Sequence, residues 1–289
     1  MMASAVFHFG TVGSPNSTPK KPGGSKGAIL RIAELGLDAL ELGWVRSVRV
    51  SEKTCQEIKQ TALNNHVLIS VHAPYYINLN ADVEEWQKSR QRLMDAAHFG
   101  NLAGATDIIF HPGSYFGKSP KQVMPLVLER LQDCVNELRA NGNPVTLRPE
   151  TMGKSAMIGS LEDTLAMSQE IDGVEPCLDF AHLHARQGDG SMNTYEEWTW
   201  ALDKYKEALG DQSLQRLHIH LSGIEYGEKG EKEHLMIEDS DLDLDALLHA
   251  LYDHGCGGRI VCESPIMEDD AQNIQRAWNK FSSEQPSKS

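Results

Sequence analysis

Apolar residues fall in short runs at regular intervals along the chain, and the stretches between the runs carry apolar positions three and four apart. The short runs predict eight strands, at residues 6–10, 39–42, 68–72, 107–111, 145–150, 175–179, 216–221 and 259–263. The wider spacing predicts helices between them, for example over residues 29–35, 83–102, 120–140, 161–171 and 242–252. Unbroken strand–helix alternation predicts one closed parallel barrel, an α/β fold of the (β/α)8 TIM-barrel type, over residues 1–282. Residues 13–24, rich in Ser, Pro and Lys, read as a loop after the first strand, and the polar residues 283–289 read as a disordered tail.

Composition narrows this picture. The chain has 289 residues, a little more than the about 250 of a typical barrel of this type. No run approaches the roughly 18 apolar residues of a membrane span, and residues 1–9 lack the basic-then-apolar order of a signal peptide. Both features predict a cytoplasmic protein without a membrane partner. The five cysteines are scattered and form no C-x-x-C pair, which argues against a thiolate zinc finger and against a disulfide framework. Any metal would therefore be held by His, Asp and Glu. A net charge of −14 weighs against a non-specific nucleic-acid binder, although bound divalent cations would make the field at a site locally positive.

Side chains alternate along a strand, so residues two apart share a face. In the seventh predicted strand Leu217, Ile219 and Leu221 share the face expected to meet the helices. His218 and His220 then point into the barrel. By the same construction His72, His111, Glu150, Asp179 and Glu263 each end a predicted strand on an inward position, at the mouth where active sites of such barrels lie. His182 and His234 follow in adjoining loops. A lone strand histidine is usually an ordinary hydrogen-bonded residue, and His66, His98, His249 and His254 read as such on helices or helix ends. His8 and His218 read as interior hydrogen-bonding residues, while His184 fits either role. Six convergent His, Asp and Glu residues are different, because unpaired carboxylates in one mouth would repel each other and lose hydration. A cluster of divalent ions removes both costs. One layer deeper, Arg148 shares the face of Glu150 and needs a buried partner, for which Glu41 or a mouth carboxylate is the candidate.

The segments His72-Ala73-Pro74-Tyr75, Phe110-His111-Pro112-Gly113-Ser114, Pro149-Glu150-Thr151-Met152-Gly153, Leu178-Asp179-Phe180-Ala181-His182, His220-Leu221-Ser222 and Glu263-Ser264-Pro265 resemble, in order, the successive motifs of the endonuclease IV family. That resemblance spans the chain from the first strand to the eighth. It implies a monomeric, zinc-dependent nuclease (manganese being an alternative metal) that cuts double-stranded DNA on the 5′ side of abasic sites in base excision repair. It further implies one ion on His72, His111 and Glu150, and a second on Glu150, Asp179, His220 and Glu263. A third would sit on His182 and His234. A hydroxide held between metals would attack the phosphate, with Glu150 as the bridging catalytic ligand. Tyr75 matches the family's lesion-contacting aromatic, and Arg46 its basic loop after the second strand. The family has an Asp two residues before the last histidine, where this chain has Lys232; Glu231 is the candidate substitute.

Two other functions remain open at this level. A xylose-isomerase-like sugar isomerase or epimerase would use the subset Glu150, Asp179, His220 and Glu263 but has no need of His72, His111, His182 and His234. A catalytically silent barrel that binds damaged DNA is the other, and the intact Glu150 argues against it. Fold alone does not choose among these.

Overall fold

The computed structural model describes residues 6–284. The strands of the barrel are β1 (Phe7–Val12), β2 (Ala39–Gly43), β3 (Leu68–His72), β4 (Ala105–Phe110), β5 (Thr146–Pro149), β6 (Cys177–Asp179), β7 (Leu217–Leu221) and β10 (Gly258–Cys262). All pair in parallel, in the order β5-β4-β3-β2-β1-β10-β7-β6. Single bridges Leu147–Val174 and Glu150–Cys177 join the two ends, so the sheet closes on itself as the sequence predicts. The principal helices around it are α1 (Gly24–Glu34), α2 (Glu52–Asn65), α3 (Val83–Leu102), α4 (Pro120–Ala140), α5 (Leu161–Glu170), α6 (Phe180–Ala185), α7 (Tyr195–Leu209), α8 (Leu244–Asp253) and α9 (Glu268–Glu284).

Local chemistry sets these boundaries. Ser51, Asp82, Ser160 and Thr194 each accept a hydrogen bond from a backbone N–H in the first turn of the helix that follows, satisfying a donor the helix cannot. The outward faces of the strands, such as Leu217, Ile219 and Leu221, join the apolar layer beneath the helices. No helix among the described residues is long and apolar enough to cross a membrane.

Three features depart from the sequence reading. An antiparallel hairpin, β8 (Gly223–Gly227) with β9 (Gly230–Leu235), stands on the mouth after β7, where only a loop was expected. Only Ile224 and Tyr226 alternate as apolar residues in β8, and β9 is largely Glu, Lys and His, so the pattern is too short and too polar to mark a strand pair. Residues 283 and 284, expected in the tail, lie in α9, with the Ser282 and Ser283 hydroxyls bonded back to helix carbonyls. Residues 285–289 lie outside the described residues. Lastly, Arg148 is buried as expected but pairs with neither Glu41 nor a mouth carboxylate. Its Nε bonds Asp107 on the adjacent strand β4, and its Nη atoms bond Glu175 and the carbonyls of Pro176 and Arg216. Adjacent strands bring Asp107 closer than Glu41, which lies across the barrel.

This pair is buried in the lower part of the barrel. Burial works against the Asp107 charge, but Arg148 and Arg259 outweigh it and hold the carboxyl well below its ordinary value. Removing one partner of a buried ion pair costs about 3–5 kcal/mol. Asp107→Asn should therefore lower unfolding free energy by at least about 3 kcal/mol near neutral pH, read by urea denaturation. A depressed carboxyl stabilises above its unfolded value near about 4 and loses that contribution as pH falls toward the folded value. The gap between wild type and variant should therefore narrow below about pH 4; a pH-independent gap would contradict the role.

Candidate metal centre

Six of the eight barrel strands deliver a side chain at or just past their ends to the same mouth. His72 ends β3, Asp179 ends β6, and His220 is the last inward residue of β7. His111, Glu150 and Glu263 stand one residue past β4, β5 and β10, where the backbone still follows the barrel: Glu150 N–H donates to Phe110 O and Glu263 N–H to Leu221 O. His182 lies on α6, whose first turn is capped by Asp179 itself, and His234 lies on β9. The sequence pattern puts both in loops, because a six-residue helix and a polar hairpin strand are too short to show a period.

Donor atoms of His72, His111 and Glu150 lie within 4.8 Å of one another, as do those of Glu150, Asp179, His220 and Glu263. Asp179, His182 and His234 form a third such set, a placement of Asp179 that sequence reasoning missed. Glu150 is the hub. Its Oε2 is 3.1 Å from His72 Nε2 and 3.3 Å from His111 Nε2; its Oε1 is 3.1 Å from His182 Nδ1 and 3.6 Å from His220 Nδ1. The carboxylate is 1% exposed, so water cannot serve as its counter-charge.

Electrostatics show how crowded this charge is. Burial would raise Glu150, but His111, His182 and His220 hold it well below the usual carboxylate range. Asp179 goes the other way: burial, followed by Glu263 and Glu150 against the pull of His182, pushes it up to about 6. Burial opposes charge on His182, yet Asp179 and Glu150 lift it to about 10. Three carboxyls within reach of each other need cationic partners.

The donor set fits divalent ions on two observations. Glu150 Oε1, Asp179 Oδ2, His182 Nε2 and His220 Nδ1 are buried without a hydrogen-bond partner, which is rare unless something else binds them. In addition, four imidazoles have one ring nitrogen engaged by a fixed group, leaving the other turned to the mouth: His72 Nδ1 by Ala73 O, His182 Nδ1 by Thr151 O, His220 Nε2 by Glu41 and His234 Nδ1 by Ser222 Oγ. Metal-binding histidines are typically held in this way. A further cluster of Cys177, His218 and His220 lies beneath. Burial raises the Cys177 thiol, keeping it protonated and a poor ligand, and lowers His218 to about 4, so that its imidazole is neutral.

The register of the hairpin fixes where Lys232 and Glu231 lie. Ile224 pairs with His234 and Glu225 with Glu233, but Tyr226 pairs with Glu231, so Lys232 is the extra residue of a β-bulge. Paired residues share a face, and Ile224 and Tyr226 lie on the same side. Glu231 is thus on the face of His234. Lys232 bonds Glu225, and Glu231 Oε2 lies 3.6 Å from His182 Nε2. The hairpin seats on Gly153, whose carbonyl accepts from Glu231 N–H; a Cβ at Gly153 would lie 2.6 Å from Glu231 Cβ.

Around the centre, Tyr75 stacks on His111 at 4.9 Å and meets His72 edge-on at 5.1 Å, leaving 48% of the residue exposed. Burial and the charges of Glu263 and Glu150 push its hydroxyl up to about 12, so it remains a donor. Its N–H donates to Val45 O, which places the exposed Arg46 loop beside it. Loops 13–23, 44–51, 111–119 and 151–160 carry Lys20, Lys21, Arg46, Arg49, Lys118 and Lys154, all exposed or half-buried, and no carboxylate. This basic half-rim was visible in the sequence but hidden by the overall charge. Tyr76 and Phe116, both 63% exposed, lie on loops of the same rim.

Residues 29–281 match the family model described as xylose isomerase-like TIM barrel. The chain belongs to that family. Within it, the chain is 35% identical over 282 residues to an uncharacterized protein of Methanocaldococcus jannaschii, covering 97% of this chain and all of the relative. It is 29% identical over 240 residues to a probable endonuclease 4 of Staphylococcus epidermidis, covering 77% of this chain and 74% of the relative. In fold it is similar to endonuclease IV from Thermus thermophilus, with a TM-score of 0.73 at 22% identity over 96% of this chain and all of that one. It also resembles a D-tagatose 3-epimerase-like protein, with a TM-score of 0.64 at 19% identity over 96% and 97%. A structure named endonuclease IV and one named epimerase-like thus share this chain's fold, and the side chains in the mouth must distinguish between such functions.

Proposed function

We propose that this family member is a metal-dependent phosphodiester hydrolase that cuts double-stranded DNA on the 5′ side of abasic sites. The observation that carries the reading is Glu150, a fully buried carboxylate with one oxygen among His72 and His111 and the other facing His182 and His220. His72, His111 and Glu150 would hold one ion, and Glu150, Asp179, His220 and Glu263 a second. His182 and His234, with Asp179 or Glu231, would hold a third. Zinc suits this mixed imidazole and carboxylate set, and manganese is the alternative. Bound divalent ions supply Lewis acidity, lowering the pKa of water and offsetting phosphate charge.

The chain's own groups do the rest. Hydrolysis adds water across the P–O3′ bond, leaving a 3′ hydroxyl and a 5′ phosphate. The Tyr75 hydroxyl, protonated at neutral pH, donates to a phosphate or sugar oxygen beside His111. Its ring, with those of Tyr76 and Phe116, offers faces to unstacked nucleotides at the lesion. The basic half-rim, Arg46 included, carries the strand's phosphates. A sugar epimerase needs only the Glu150, Asp179, His220 and Glu263 set, so His72, His111, His182 and His234 favour hydrolysis. The match to relatives named endonuclease 4 supports the same side.

A duplex carrying one abasic site should be nicked by the zinc-loaded protein and spared in the presence of a strong chelator. Glu150→Gln keeps the shape and removes the shared charge, so cleavage should fall by about 100-fold or more while circular dichroism is unchanged. An intact duplex with wild type, in a protein that epimerises ketoses, would overturn the assignment. The hairpin gives a separate test of the third position. Deleting Lys232 removes the bulge but keeps Glu231 opposite Tyr226, so ion content should persist; Glu231→Gln should lose one ion per chain. Loss on deletion with retention in Glu231→Gln would exclude Glu231 as a ligand.

A further inference from the structure

Glu41 is fully buried on the inward face of β2, beneath the mouth. Its Oε1 accepts from His220 Nε2 at 3.0 Å, and its Oε2 accepts from His218 Nε2 at 2.9 Å and from Ser70 Oγ at 2.8 Å. Ser70 is its direct neighbour in the β2–β3 register. The histidines come from β7, which β1 and β10 separate from β2, so these two bonds cross the barrel interior.

A buried carboxylate costs desolvation that an apolar side chain of similar size would avoid, and buried ion pairs are often replaceable without loss of stability. The contact with His220 gives this one a use. A neutral imidazole that donates from Nε2 carries its lone pair on Nδ1. His220 Nδ1 has no hydrogen-bond partner and lies 3.6 Å from both Glu150 Oε1 and Glu263 Oε2. We infer that Glu41 is a positioning residue for the metal centre: it selects the His220 tautomer that presents Nδ1 to an ion and fixes the ring's orientation. Ser70 and His218 hold the carboxylate still, and its negative charge strengthens the imidazole as a donor. This inference rests on the metal reading of the mouth.

The test is a zinc titration of the full chain against a competing chelator, with Glu41→Gln and Ser70→Ala alongside wild type, and circular dichroism of each after chelator treatment. Glu41→Gln should weaken one ion by about 10–100-fold with the fold retained. Ser70→Ala, which loosens the carboxylate without removing it, should weaken the same ion by a smaller factor, and it carries the test if Glu41→Gln does not fold. Wild-type zinc affinity in every folded variant, with only the melting temperature lowered, would make Glu41 a structural residue and overturn the inference while leaving the metal reading intact. A wild-type chain that takes up no zinc would overturn both.

Discussion

A buried carboxylate at the centre of a barrel mouth is the constraint from which the rest of the site follows. Glu150 has no access to water, and burial together with the nearby charges of Glu263 and Glu150 raises the proton affinity of Asp179. In a low-dielectric mouth such a group of acids is tolerable only beside concentrated positive charge. Imidazoles from β3, β7, α6, β9 and the loop after β4 surround it. Several are fixed at one ring nitrogen by a backbone carbonyl, Ser222 or Glu41, leaving the other available in the mouth. The helices and the apolar outer faces of the strands hold eight strand ends in register so that these atoms converge.

Much of this was legible because a strand alternates with a period of two. Leu217, Ile219 and Leu221 against His218 and His220 reveal which face is the core, and the same sorting places His72, Asp179 and Glu263. Long helices with strong spacing, 83–102 and 120–140, were legible to the residue. The hairpin was not, since only Ile224 and Tyr226 mark its period. With it went the bulge at Lys232, which decides the face of Glu231 and depends on pairing rather than on sequence spacing. The partner of Arg148 was misjudged for a related reason. Alternation says that a side chain points inward, but not which inward neighbour is nearest, and the adjacent strand supplied Asp107.

Net charge was the weakest guide. At −14 the chain looks hostile to DNA, yet the loops after β1, β2, β4 and β5 present lysines and arginines with no acid beyond Glu150. The acids lie largely on helices, on the hairpin and in the mouth itself, where bound cations would reverse their sign. Distribution therefore matters more than sum. The same caution applies to the scaffold: a structure named for sugar epimerisation shares the fold, so hydrolysis has to be argued from the imidazoles that an epimerase would not need.

The central claim is that the mouth is a multinuclear metal centre organised by Glu150. Native mass spectrometry of the purified chain tests it most directly by counting ions per molecule. The account predicts two divalent ions that survive dialysis and a third that exchanges more readily, all released by a strong chelator with the fold retained. A folded chain that carries one ion or none after incubation with excess zinc would contradict it.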